Sequence, residues 1–141
     1  MTILRIDHTA IAVRDLAEAL NRYARIFGLQ SVGRTEVPDQ GVEIAFLRAG
    51  DTQLELICPL DQESSVSRFL DRYGERLHHV GLLVDDMDRE LERLRRAGVE
   101  LIDNSPRNGP HGRIAFVHPR GTGGPLIELI EHTDNRAEAS G

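Results

Sequence analysis

Five landmarks in this chain recur in the same order, 70 to 73 residues apart. Ile6-Asp7-His8 opens an apolar stretch that closes on Ile11-Ala12-Val13 and is followed by Asp15. Leu77-His78-His79 opens Val80 to Val84, followed by Asp86, so that His79 and Asp86 each lie 71 residues beyond their counterparts. Each stretch runs into an amphipathic segment closed by glycine, at Gly28 and Gly98. Ile44-Ala45-Phe46-Leu47 matches Ile114-Ala115-Phe116-Val117, and Leu54-Glu55-Leu56-Ile57 matches Ile127-Glu128-Leu129-Ile130. Self-similarity at a fixed offset marks a duplicated supersecondary unit, and it restricts the fold to two copies of one module.

Each copy reads as βαβββ. In the first, residues 4–13 form a strand. A helix then starts at Asp15, with Glu18 completing a capping box and Leu16, Leu20, Tyr23 and Phe27 forming its apolar face. Strands at 29–36, 42–48 and 52–58 follow, punctuated by Pro38, Gly41 and Gly50-Asp51. The second copy places strands at 77–84, near 99–103, at 113–118 and at 126–132, with a helix at 86–97 burying Met87, Leu91 and Leu94. Arg89, Glu90, Glu92, Arg93, Arg95 and Arg96 read as its solvated face. The domain therefore spans 4–132, with module one at 4–58, a linker at 59–76 carrying a helix around Ser65–Tyr73, and module two at 77–132. The tail 133–141 lacks large apolar residues and is expected to fray.

The duplication also repeats two polar residues inside apolar strands, His8 with His79 and Glu55 with Glu128. Burying a carboxylate costs several kcal/mol unless it is paired or bound to a cation. Side chains alternate along a strand, so Leu54, Leu56, Ile127 and Leu129 face the helices while the glutamates face the other way, with the histidines. Two nitrogen and two oxygen donors suit a divalent ion such as Zn²⁺, Co²⁺, Ni²⁺ or Mn²⁺. An ion-pair cluster of Glu with protonated His is the competing reading. His78 alternates away from His79 and reads as a partner or spectator. Cys58 has no matching cysteine and reads as a small buried apolar residue. Gly121-Thr122-Gly123-Gly124 lacks the phosphate-loop frame and reads as a turn.

Composition removes other classes. The net charge of −6 and the scarcity of aromatic residues argue against nucleic acid, which basic stripes and stacking platforms recognise. No apolar run approaches the ~20 residues of a membrane span. No basic, apolar leader precedes Ile6, so no secretory signal is expected. The single cysteine fits a reducing cytoplasm.

With these residues in place, the chain resembles the vicinal oxygen chelate superfamily of glyoxalases and bleomycin-resistance proteins. Within it, the chain is most similar to the methylmalonyl-CoA epimerases. The resemblance covers residues 5 to 131. It is carried by Asp7-His8, Asp39-Gln40-Gly41-Val42, Gly50-Asp51-Thr52, Cys58-Pro59-Leu60, Leu77-His78-His79 and Leu101-Ile102-Asp103. It continues through Pro106-Arg107, His111-Gly112, Phe116-Val117-His118-Pro119-Arg120 and Gly123-Gly124. It implies an α+β fold of two tandem βαβββ modules forming an incomplete eight-stranded, glyoxalase-like barrel. It also implies a homodimer and a divalent metal, commonly cobalt, held by His8, Glu55, His79 and Glu128.

The activity implied is interconversion of (2R)- and (2S)-methylmalonyl-CoA. Glu128 then serves as proton carrier and ligand, and the second carrier is Glu55 or Glu43, with Glu55 preferred. Several epimerases place an acid in the strand after Gln-Gly; here Ile44 falls at that position and Glu43 one earlier, which reverses the face. Arg120 is a candidate partner for a substrate carboxylate or a CoA phosphate, and equally reads as a surface arginine. An acyl-CoA substrate also calls for a local basic patch to offset the net acidity. The alternatives are a glyoxalase I-like lactoylglutathione lyase, which uses the same four ligands, and a non-catalytic small-molecule-binding protein of the same fold.

Overall fold

The computed structural model of the chain describes residues 3–133. The elements run β1 (Ile3–Ala12), α1 (Leu16–Phe27), β2 (Ser31–Val37), β3 (Val42–Ala49), β4 (Thr52–Pro59), α2 (Ser65–Tyr73), β5 (Arg76–Val84), α3 (Met87–Arg96), β6 (Arg107–Asn108), β7 (Gly112–Val117), α4 (Pro119–Thr122) and β8 (Ile127–His132). They belong to two compact units. One is His8–His78; the other joins the residues up to Asp7 with those from His79 onward. None of the helices in the described residues is long and apolar enough to cross a membrane. The tail beyond Thr133 lies outside the described residues.

In the first unit the strands lie in the order β2-β3-β4-β1, with β1 parallel to β4 and the other neighbours antiparallel. Alternation gives this sheet two apolar faces. Ala45, Leu47 and Leu56 pack with Val13 and with Leu16 and Ala19 of α1. Val42, Ile44, Phe46, Ile57, Ala10 and Ala12 pack with Val66 and Leu70 of α2. Each large side chain removed from water here contributes roughly 2 kcal/mol. Asp15 caps α1 by accepting from the Glu18 N–H, 3.0 Å, while the Glu18 carboxylate turns outward to Arg22, 3.2 Å. Gly28 closes the helix in the left-handed conformation (φ 69°). Phe27, expected on the apolar face, is 66% exposed. It is the last residue of α1, directly before the Gly28 cap. The linking helix falls at Ser65–Tyr73, as expected.

The second unit repeats the plan in the order β5-β8-β7-β6, with β5 parallel to β8. Met87 and Leu91 of α3 pack on Val84, Ala115, Val117 and Leu129. Leu83, Ile114 and Ile130 line the opposite face with Phe116. Gly112 permits the close approach of β7 to β8, since a Cβ there would stand 2.0 Å from the Glu131 carbonyl oxygen.

Three expectations are corrected in this unit. The strand near 99–103 is not formed; Leu101 makes one bridge to Val117, and the paired strand is β6 at Arg107–Asn108. The reason is chemical: the Asp103 side chain accepts the Phe116 N–H (2.9 Å) that a neighbouring strand would have taken. The charged face of α3 is not wholly solvated. Glu90 is 1% exposed and holds Arg93 at 2.5 Å; it stands where module one has the buried Ala19. The glycine-rich segment is not a plain turn, because Pro119–Thr122 form the one-turn α4, which Gly123 closes.

Candidate metal and active site

Strand alternation and cross-strand register place the candidate ligands. Residues directly opposite in a sheet share a face. Glu55 lies opposite Phe46, and Glu128 lies opposite Phe116. Leu54 and Leu56 pack toward α1, while Ile127 and Leu129 pack toward α3. Both glutamates therefore occupy the face away from their module's helix, at equivalent positions.

Each glutamate meets the histidine of its own unit. In the first, His8 Nδ1 is 3.2 Å from a Glu55 carboxylate oxygen. In the second, His79 Nε2 is 3.7 Å from a Glu128 carboxylate oxygen, beyond hydrogen-bond length. All four residues are buried, at 2%, 7%, 8% and 6% exposure respectively. The Phe116 ring meets the His79 imidazole edge-on, with centroids 5.3 Å apart and planes at 89°. This donor set fits a divalent cation: imidazole nitrogens and carboxylate oxygens, sequestered from water, with carboxylates that need a positive charge to be tolerable where they are.

The remaining candidates lie elsewhere. Glu43 faces α1, on the side opposite Glu55, and pairs with Arg34 across the β2–β3 ladder at 3.0 Å. His78 packs edge-on against Phe69 of α2, with centroids 4.7 Å apart, and burial pushes its imidazole down to about 4, so it is neutral at pH 7. Arg120 is 74% exposed and pairs with Glu100 at 2.9 Å. Cys58 is partly buried, with its thiol donating to the Arg14 carbonyl at 3.4 Å. Burial pushes that thiol up.

Sequence reasoning did not assign roles to two features beside these residues. Asp7, immediately before His8, has a carboxylate oxygen 2.8 Å from His132 Nε2. Asp103 holds the Phe116 backbone and also meets Arg107 Nε at 3.0 Å, so it fixes the strand whose ring abuts His79. The signal that singles out Phe116 is the repeat itself, which sets Phe46 at the same place in the other half.

The description glyoxalase/bleomycin resistance protein/dioxygenase superfamily fits residues 7–117, and the chain belongs to that superfamily. It is 41% identical to the uncharacterized protein YqjC of Bacillus subtilis (strain 168), over 90% of this chain and 91% of that protein. It is 33% identical to the mitochondrial methylmalonyl-CoA epimerase of Homo sapiens, over 89% of this chain and 72% of that protein. The crystal structure of methylmalonyl-CoA epimerase from Mycobacterium tuberculosis superposes with a TM-score of 0.91 at 36% identity, covering 97% of this chain and 93% of that one. Within the superfamily the chain thus groups with the methylmalonyl-CoA epimerases. The α+β, glyoxalase-like fold that the resemblance implies is the one found.

Proposed function

We propose that this chain is a metal-dependent epimerase that interconverts (2R)- and (2S)-methylmalonyl-CoA. The observation that carries the reading is the buried His–Glu pair found once in each module, His8 with Glu55 and His79 with Glu128. Epimerisation removes the proton between a carboxylate and a thioester and returns one on the other face, so it asks for two carriers. Glu128 is one and Glu55 the other in this reading; Glu43, facing α1 and tied to Arg34, is set aside. In this reading the ligands are the four residues that the repeat sets apart, His8, Glu55, His79 and Glu128. A bound divalent ion, cobalt being the first to test, would supply Lewis acidity that draws charge onto the thioester oxygen as the proton leaves.

The chain's own groups do the rest. His8 and His79 stand beside the carboxylates, and Phe46 and Phe116, directly opposite Glu55 and Glu128 in the sheet, border them with apolar surface. Arg120 can exchange Glu100 for a carboxylate or phosphate of the substrate. The reading carries with it a homodimer working in the cytoplasm.

The test is proton NMR of methylmalonyl-CoA in D₂O with cobalt-loaded protein. The expected result is α-deuterium incorporation together with inversion. Turnover of the glutathione hemithioacetal with no α-exchange would make the protein a lyase, and inertness towards both with tight ligand retention would make it a binding module.

A further inference from the structure

We propose that Tyr73, with Arg72 and Arg76 against its ring, is the seat for the nucleotide end of an acyl-CoA; the inference rests on the epimerase reading above and gives its substrate a second point of attachment. Tyr73 ends α2 and is 46% exposed. The Arg72 guanidinium carbon lies 5.1 Å from its ring centroid and that of Arg76 5.9 Å. Among the described residues neither arginine pairs with a carboxylate, although acids stand beside both. Asp71 is drawn to Arg14 at 3.4 Å, and Glu75 to Arg22 at 3.8 Å and to the Arg14 N–H at 2.8 Å. In a chain of net charge −6, two cations on one exposed ring with no counter-ion among the described residues form a local basic patch.

The chemistry of the patch selects its ligand. A guanidinium stacked on a ring keeps its edge N–H donors in the plane, where they meet phosphate oxygens two at a time. The aromatic face and the guanidinium planes accept a purine by stacking. Phosphates beside a purine describe the adenosine 3′-phosphate 5′-diphosphate of CoA. The patch is also fixed to the wall that bears the site. Phe69, one turn earlier, packs on the Tyr73 ring with centroids 5.1 Å apart and on the cluster containing Phe46, and Phe46 lies directly opposite Glu55.

The experiment compares wild type, the Arg72→Gln/Arg76→Gln double variant, Tyr73→Leu and, as a control on α3, Arg89→Gln. Three measurements are made on each: α-exchange with methylmalonyl-CoA, α-exchange with methylmalonyl-pantetheine, and calorimetric titration with adenosine 3′,5′-bisphosphate. The expected result is a KM for the CoA ester raised about tenfold in both patch variants, with kcat and the KM for the pantetheine ester unchanged and bisphosphate binding lost. Equal KM values for the CoA ester in wild type and variants would overturn the inference, as would an equal rise for both esters. If wild type exchanges neither ester yet binds the bisphosphate through this patch, the nucleotide seat stands and the epimerase reading falls.

Discussion

Cys58 and Glu131 occupy the same place in the two halves of the repeat, and each receives the first backbone N–H of its half's helix. The Leu16 N–H meets the Cys58 sulfur, while the Met87 N–H donates to the Glu131 carboxylate at 2.7 Å. A carboxylate 4% exposed needs more than one donor, and Arg113, its cross-strand neighbour, supplies the rest at 3.1 Å while also holding Asp88 at 3.0 Å. One half has thus built an ionic clamp where the other has a neutral thiol.

Removing one side of that clamp leaves a guanidinium and a helix-terminal N–H short of a partner. Glu131→Ala is expected to cost about 3 kcal/mol and to lower the melting temperature by roughly 10 °C, whereas Cys58→Ala costs about 1 kcal/mol or less. Thermal unfolding of the two variants checks this; equal losses would mean that the clamp adds nothing.

The Cys58 thiol gives a pH dependence with a definite sign. Burial is the leading cause of its raised pKa, so above the ordinary thiol range the folded chain holds a proton that the unfolded chain has released. Stability is then full below that range and falls as pH rises through it. Cys58→Ala should flatten the alkaline limb of a stability-versus-pH curve. In the same range, alkylation of native Cys58 should run slower than that of the denatured chain and quicken as pH rises.

The two candidates for second proton carrier lie on opposite faces of one sheet, and substitution separates them. Glu55→Gln is expected to reduce α-exchange at least about a hundredfold, with Glu43→Gln within about twofold of wild type. Glu128→Gln should abolish exchange while the circular dichroism spectrum persists. Near-normal exchange in Glu128→Gln would remove it as a carrier.

Metal removal tests the ligand set independently of catalysis. Treatment with a chelator should lower the melting temperature and re-addition of Co²⁺ restore it, since an ion bound only by the folded state stabilises it by mass action. His8→Ala and His79→Ala should each lose most of the restoration. A melting temperature indifferent to chelator and cobalt would overturn the metal reading.

Asp103 stands in for a strand. Asp103→Ala should leave the Phe116 N–H unsatisfied and cost about 1 to 3 kcal/mol, whereas Asp103→Asn, which keeps an acceptor oxygen, should recover about half. Amide exchange at Phe116 reports the difference directly.

What the sequence determined by itself is the doubled plan. His8, Glu55, His79 and Glu128 stood out because a fixed offset and period-two alternation are both local and countable, and alternation alone turned Leu54, Leu56, Ile127 and Leu129 toward the helices. Tertiary structure decided the rest. Glu90 looks in sequence like any other charge on α3, and only packing shows that it lies beneath Arg93 at a position the first module fills with Ala19. The missing strand near 99–103 depends on one carboxylate reaching a backbone N–H thirteen residues away, which no propensity encodes. Glu131 becomes a clamp only once β7 and β8 are in register and bring Arg113 beside it. The arginines at Tyr73 become a patch only because the neighbouring acids turn to Arg14 and Arg22, more than forty residues earlier in the chain. Pairing over such distances in sequence is chosen by the fold, because the energy of an ion pair depends on the separation of its charges in space.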